Sequence, residues 1–409
     1  MYSNSTPFRT VFSTVLVAAL GYFVDIYDLI LFSVTRVQSL KDIGVSGDQL
    51  LPVGLSLLNW QMMGMLLGGI LWGVLGDKRG RLSVLFGSII LYSLANLANG
   101  FVQTVEQYQW LRFIGGVGLA GELGAGITLV SEVMSKENRG YGTTIVASVG
   151  LLGAVAAYFV STLFDWRTAY FVGGGLGFML LLLRISVHES GMFQSTSEKN
   201  VLRGDFSLLF RQKKLLFRYL RCILIGLTTW LVVGILVTAS PEFARAFGMT
   251  TVPEGAGRAV MWCYLGLATG DLISGLLSQY LKSRKKVMYI FYAFSAFTVA
   301  YYLLSGNISV ELFHFKCFLL GVGVGYWAIF VTIASEQFGT NIRATVTTTV
   351  PNFARGSLVP ITYLFTFFKD NWGMVSGAGA TAVLCIIIAL VALFSLPETY
   401  GKNLDYLEQ

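Results

Sequence analysis

Apolar runs of about twenty residues recur along the chain, each long enough to cross the hydrocarbon core of a bilayer as a helix. Twelve are drawn, at 12–35, 51–75, 82–102, 106–130, 142–164, 167–183, 217–240, 258–280, 287–304, 312–334, 344–367 and 374–396. They are continuous rather than alternating, which excludes a β-barrel. The longest polar stretch runs from Arg184 to about Lys214 and divides the twelve into two sixes. The expected domains are an N-terminal bundle (1–183), a cytoplasmic linker (184–216), a C-terminal bundle (217–397) and a cytoplasmic tail (398–409). Within the linker, FSLLFRQKKLLF reads as a short amphipathic helix at the membrane surface.

The two sixes repeat each other. Ser131-Glu132 is followed by Arg139-Gly140, and Ser335-Glu336 by Arg343-Ala344, with copies 204 residues apart. A weaker echo links GVLGDKRGR (Gly73 to Arg81) with GLLSQYLKSRKK (Gly275 to Lys286). The expected fold class is therefore an all-α membrane protein, twelve transmembrane helices in two pseudo-symmetric halves around a central cavity. In parallel repeats of this kind the ligand site lies between the halves.

Composition agrees. Hydrophobic residues make up 55%, charged ones 12%, and mean hydropathy is +0.67, whereas soluble domains carry about 25% charge. The net charge of +7 does not point to nucleic acid, because its placement follows loops: 20 of 29 Lys and Arg fall on the side of the termini, 7 opposite and 2 deep in helices. That bias puts both termini in the cytoplasm. No cleavable signal peptide is read at the N-terminus. Cys222, Cys263, Cys317 and Cys385 lack metal or disulfide spacing, and His188 and His314 form no metal constellation. No cofactor, metal or enzymatic triad is expected.

The chemistry lies in a few buried ionisable groups. Asp25 and Asp28 sit three residues apart in the first segment, where each ionised Asp costs about 2.5–3.5 kcal/mol at mid-membrane. They share a helix face that must look at protein or water. Either they are structural carboxylates paired to neighbouring bases, or they form a proton or substrate site, the default for intramembrane acids. By helical rise, Asp28 and Arg112 fall at similar depth and can pair; Asp25 is one turn deeper, and Glu122 lies roughly 15 Å below Arg112. Asp271 and Arg355 both fall near mid-depth, to meet or to face each other across the cavity. Four acids against two arginines leave two uncompensated charges, so an acid is expected to be protonated for part of a cycle, or a cation to occupy the site. Arginine stays charged and can hold a substrate carboxylate bidentately. In the expected cycle, protonation of Asp28 releases Arg112 to an anionic substrate. Asp25 is the second candidate carrier, and Glu122 a structural or relay acid near the inner mouth. Tyr22, Gln61, Trp230, Tyr326, Trp327 and Asn352 are candidate cavity residues. Gly173–Gly177 and Gly321–Gly325 read as close-packing stripes rather than phosphate loops, and Pro351 as a kink in a gating helix.

GVLGDKRGR resembles the loop 2–3 signature of the major facilitator superfamily, Gly-x-Leu-x-Asp-(Arg/Lys)-x-Gly-Arg. RFIGGVGLAGELGAG (Arg112 to Gly126) and RISVHESGMF (Arg184 to Phe193) resemble its metabolite:proton symporter group. LPETYGKNLDYLE resembles the C-terminal signature of sugar porters, organic-ion transporters and the synaptic-vesicle-like branch. Ile26 stands where an aromatic residue is usual between the two helix 1 acids. The resemblance spans the chain. It implies a gate in which Asp77, Arg79, Arg81, Glu132, Arg139, Glu336, Arg343 and Glu398 join interdomain salt bridges that hold the cytoplasmic side shut. The alternative is that these basic residues signal topology alone.

The expected function is proton-coupled symport of a small carboxylate or zwitterionic metabolite by alternating access. The substrate site is expected at Arg112, Arg355, Asp271 and the cavity residues, the proton site at Asp28, Asp25, Arg112 and Glu122. The alternatives are an organic cation or drug:proton exchanger and a non-transporting sensor on the same fold. The expected partners are the solute, protons and lipid, with no nucleic acid; the resemblance implies a monomer in a bacterial inner membrane.

Overall fold

The computed structural model describes residues 8–134, 139–183, 206–402 and 406–408, and of residues 8–10, 81, 131, 132 and 139 the backbone only. The regular structure among them is helical. Among the described residues, eleven helices are long and apolar enough to cross a membrane. The remaining segment, the eleventh, fails that criterion for a physical reason. It is split into a threonine-rich helix and an apolar one, and polar residues along the first lower its hydropathy.

Helix α1 (Phe8–Asp42) is the axis of the first half. Its 35 residues span roughly 52 Å, well past the hydrocarbon, and it runs seven residues beyond the end expected from hydropathy. After it come α2 (Leu50–Arg79), α3 (Arg81–Asn99), α4 (Val105–Leu119), α5 (Glu122–Val133), α6 (Arg139–Leu151), α7 (Gly153–Leu163) and α8 (Trp166–Leu183); all but α3 pack against α1, and α3 packs chiefly on α4 and α8. In the second half α9 (Leu208–Arg211) and α10 (Lys213–Leu224) lead into α11 (Leu227–Leu231), a π-helical turn (Val232–Val237) and α12 (Ser240–Ala246). There follow α13 (Gly257–Tyr280), α14 (Arg284–Leu303), α15 (Val310–Gly323), α16 (Trp327–Gln337), α17 (Arg343–Gly356), α18 (Leu358–Trp372) and α19 (Met374–Phe394). The expected surface helix in FSLLFRQKKLLF is interrupted at Gln212, and its second part is the start of the seventh span. Residues 184–205 of the expected linker, His188 among them, lie outside the described residues.

Breaks in the helices repeat with the 204-residue period. The fourth span breaks at Ala120-Gly121 and the tenth at Val324–Tyr326; the fifth breaks at Leu152 and the eleventh at Ser357. A helix break frees backbone groups that must find partners, and two of these breaks use them between spans. The Ala120 carbonyl accepts from Asn352 Nδ2 at 2.7 Å, joining α17 to the fourth span. The Ala328 N–H donates to Asp271 at 3.0 Å, so α13 caps the start of α16.

The halves meet tightly along α2 and α17. A Cβ at Gly73 would lie 3.0 Å from Thr345 Cα, and one at Gly69 would lie 3.1 Å from Asn352 Cβ. Neighbouring backbone leaves no room to yield. Gly73→Val is expected to hold the end of α2 and the start of α17 apart, seen as increased labelling of a cysteine placed at Thr345.

Candidate functional site

Five spans converge on Arg355. Arg355 is 1% exposed. Its guanidinium lies over the rings of Trp230 (5.9 Å) and Trp327 (5.8 Å), from the seventh and tenth spans. Its Nη2 is 3.8 Å from Asp25 Oδ2 on α1, so this ion pair crosses between the halves. Tyr22, one turn before Asp25, and Tyr264 on α13 line the same cavity with Trp230, Trp327 and Arg355. The cavity holds about 10 Å³, the lower limit for a single water. The site is collapsed around its own charges.

Asp28 takes a different direction. Three residues along a helix turn the side chain by about 300°, which separates Asp28 from Asp25 by roughly 60° around α1. The Asp28 carboxylate is fully buried, and neither oxygen has a hydrogen-bond partner. It points toward α8, where a Cβ at Gly173 would strike Oδ1. The Asp28–Arg112 pair expected from depth is not formed. Arg112 instead donates to Gln61 Oε1, to the Leu29 carbonyl (3.5 Å) and to the Tyr170 hydroxyl (3.4 Å), beneath the Phe32 ring. Arg112 reaches the Leu29 carbonyl, one residue from Asp28, without meeting the carboxylate.

Of the remaining candidates, Asn352 touches Arg355, its Oδ1 accepting from Nη1 at 3.3 Å; the others are dispersed. Asp271 caps α16 and makes no ion pair with Arg355. Tyr326 packs against Tyr292, their ring centroids 5.3 Å apart; Asn352 bridges to the fourth span; Gln61 lies inside the first half. Glu122 is buried in the first turn of α5. None of these lines the central cavity. Sequence reasoning missed Tyr264 and a buried outer pair, Arg36 with Glu242 at 3.0 Å. Arg36 also donates to the Thr238 carbonyl at 3.3 Å, tying α1 to the seventh span above the cavity. Its signal was present, since residue 36 follows residue 25 by eleven positions, three near-whole turns on Asp25's face.

At the end of α2, Asp77 reaches across the halves. Its carboxylate accepts from the backbone N–H groups of Ala344 (3.2 Å) and Thr345 (2.8 Å) and from the Thr345 hydroxyl (2.6 Å). A carboxylate on a helix N-terminus satisfies orphan donors and the helix dipole together. Asp77→Asn is expected to cost about 0.5–2 kcal/mol of this closure, raising accessibility of the start of α17 by roughly two- to thirtyfold in cysteine-labelling rate. Arg79 is exposed and Arg343 fully buried at the start of α17. Glu336 pairs with Arg284 at 3.3 Å. The side chains of Arg81, Glu132 and Arg139 lie outside the described residues.

Glu398 clamps the start of α14. Burial works to raise its pKa, but donors from Ser283 and from the Arg284, Tyr400 and Thr399 backbone outweigh that and hold the carboxyl below its ordinary value of 4.5. The clamp's stabilisation is therefore complete above that value and fades as pH falls through the lower folded value. Between pH 6 and 3, wild type is expected to lose more thermal stability than Glu398→Gln.

Residues 18–361 match the family profile described as Major Facilitator Superfamily. A putative metabolite transport protein of Haemophilus influenzae is 25% identical over 405 residues, covering 95% of this chain and 96% of its own. A probable 4-methylmuconolactone transporter of Cupriavidus pinatubonensis is 26% identical over 356 residues, covering 83% and 80%. The solved structure of the proton:xylose symporter XylE bound to 6-bromo-6-deoxy-D-glucose is similar in fold, with a TM-score of 0.77, 18% identity and coverage of 97% and 98%.

Proposed function

The chain belongs to the Major Facilitator Superfamily, and from that premise we propose that it is a proton-coupled symporter of a small organic carboxylate. The observation that carries this reading is the Asp25–Arg355 pair, sealed between the halves beneath two tryptophans. A substrate carboxylate takes Arg355 bidentately, with its carbon frame against Trp230 and Trp327. Asp25, displaced, would then be an ionised group without a partner in low dielectric, and it takes a proton instead. Anion and proton thus enter together and leave the site's net charge unchanged. Asp28, buried with no hydrogen-bond acceptor role satisfied, fits a second acid that holds its proton in this closed state. Release follows when both acids lose protons toward the cytoplasm and recover their arginines.

Closure above the cavity by Arg36–Glu242 and below it by Asp77 on α17 supports an occluded step of alternating access. The relatives named for metabolite and 4-methylmuconolactone transport support a small organic solute; its charge is read from Arg355. The distribution of Lys and Arg supports cytoplasmic termini.

Uptake into proteoliposomes with acid outside tests the reading. A panel of labelled carboxylates, including benzoate and succinate, is compared with tetraethylammonium. Gradient-driven uptake of carboxylates is expected. With the gradient reversed, uptake of the cation as protons leave, and no uptake of any carboxylate under either gradient, would make the protein an exchanger.

A further inference from the structure

We propose that Gln61 on α2 and Gly173 on α8 are positioning residues that hold Arg112 and Asp28 apart, each supplying one of them with a resting place in the closed state. The proposal rests on reading Asp28 as a proton-holding acid, and it goes on to say what lets that acid exist beside an arginine.

Arg112 is 2% exposed, and every group it donates to is neutral: the Gln61 amide oxygen, the Leu29 carbonyl and the Tyr170 hydroxyl. Leu29 adjoins Asp28, so the guanidinium already touches α1 one residue from the carboxylate and still does not meet it. Gln61 is itself fixed, since its Nε2 donates to the same Leu29 carbonyl at 3.4 Å. An amide oxygen in that place gives the cation an acceptor without a countercharge. A buried arginine deprived of it would turn to the nearest anion.

Asp28 has the complementary niche. The absent side chain at Gly173 is what admits its Oδ1, because a Cβ there would collide with that atom and lie 2.9 Å from Tyr27 Cε1. The titratable or charged neighbours of Asp28 are Asp25 and Tyr27 on α1, Arg112 on α4 and Tyr170 on α8, with Asn96 alongside from α3. Arg112 is the single cation among them. Whether Asp28 keeps its proton therefore turns on where Arg112 is held, and that is set by Gln61. The glycine run around residue 173 thus has a use beyond helix packing: it stores a carboxylate.

Infrared titration of the protein in lipid needs no ligand and reads this directly. The carbonyl band of protonated Asp28 is assigned as the one lost in Asp28→Asn, and its midpoint is followed from pH 4 to 10. Gln61→Leu frees Arg112, and Gly173→Ala pushes the carboxylate out of its niche; each is expected to move the midpoint down by about one to three pH units, the size of an opposite charge coming into contact. Gln61→Glu, close in shape, gives Arg112 a permanent anion and is expected to keep Asp28 protonated to higher pH than in wild type. Unmoved midpoints in folded Gln61→Glu and Gly173→Ala would overturn the proposal while leaving Asp28 a proton site. A wild type with no band attributable to Asp28 at any pH would instead overturn the reading beneath it.

Discussion

Arg355→Gln is expected to abolish carboxylate uptake at ordinary solute concentrations and to weaken binding by more than a hundredfold. Each charged hydrogen bond is worth about 1.5–3 kcal/mol, and two are lost; one such loss alone is worth roughly ten- to a hundredfold in affinity. Arg355→Lys is expected to recover little, because an ammonium does not reproduce the two parallel donors. The variant has a second signature. Removing one member of a buried pair costs about 3–5 kcal/mol when the partner stays charged, but Asp25 can escape that cost by keeping a proton. Arg355→Gln is thus expected to be least stable at high pH, and Asp25→Asn combined with Arg355→Gln to be more stable there than Arg355→Gln alone. Differential scanning fluorimetry across pH, beside binding isotherms, checks both.

Asp28→Asn is expected to lower gradient-driven accumulation severalfold while solute exchange continues. Asn has nearly the shape of the neutral acid, and the Asp28 oxygens have no partner for it to lose. The variant then resembles wild type held with its Asp28 proton on: solute still binds with the proton taken by Asp25 and the halves still alternate, but the second proton is not delivered. Accumulation should fall severalfold, with counterflow within a few-fold of wild type. Full accumulation by this variant would remove Asp28 from the coupling chemistry.

Much of this was legible in the chain, because membrane spans announce themselves by length and apolarity and because intramembrane charges are too costly to be incidental. The acids on α1, Arg112 and Arg355 were found that way, as were Tyr22, Trp230 and Trp327 in the cavity wall. What sequence reading lacked was rotation. Helical rise placed Asp28 level with Arg112, yet a turn of roughly 60° about α1 hands the cavity to Asp25 and leaves Asp28 against Gly173. Asp271 shows a second limit. A mid-membrane acid also serves to cap a broken helix from a neighbouring span, and nothing local to residue 271 reports a break fifty residues away. Hydropathy ends the first segment at residue 35, one short of Arg36, whereas the protein continues α1 to Asp42 and buries that arginine under Glu242. The eleventh span inverts the usual rule, since its threonines and Asn352 lower its hydropathy while packing it against α2 with almost no side-chain volume between them.

The exchange of partners at Arg355 is measured most directly as protons taken up when solute binds. Calorimetric titration of the best-transported carboxylate, repeated in buffers of different ionisation enthalpy, counts them without a membrane. Close to one proton per bound anion is expected in wild type at neutral pH, and none in Asp25→Asn. Binding with no proton uptake in wild type, or with uptake that survives Asp25→Asn unchanged, would contradict the account.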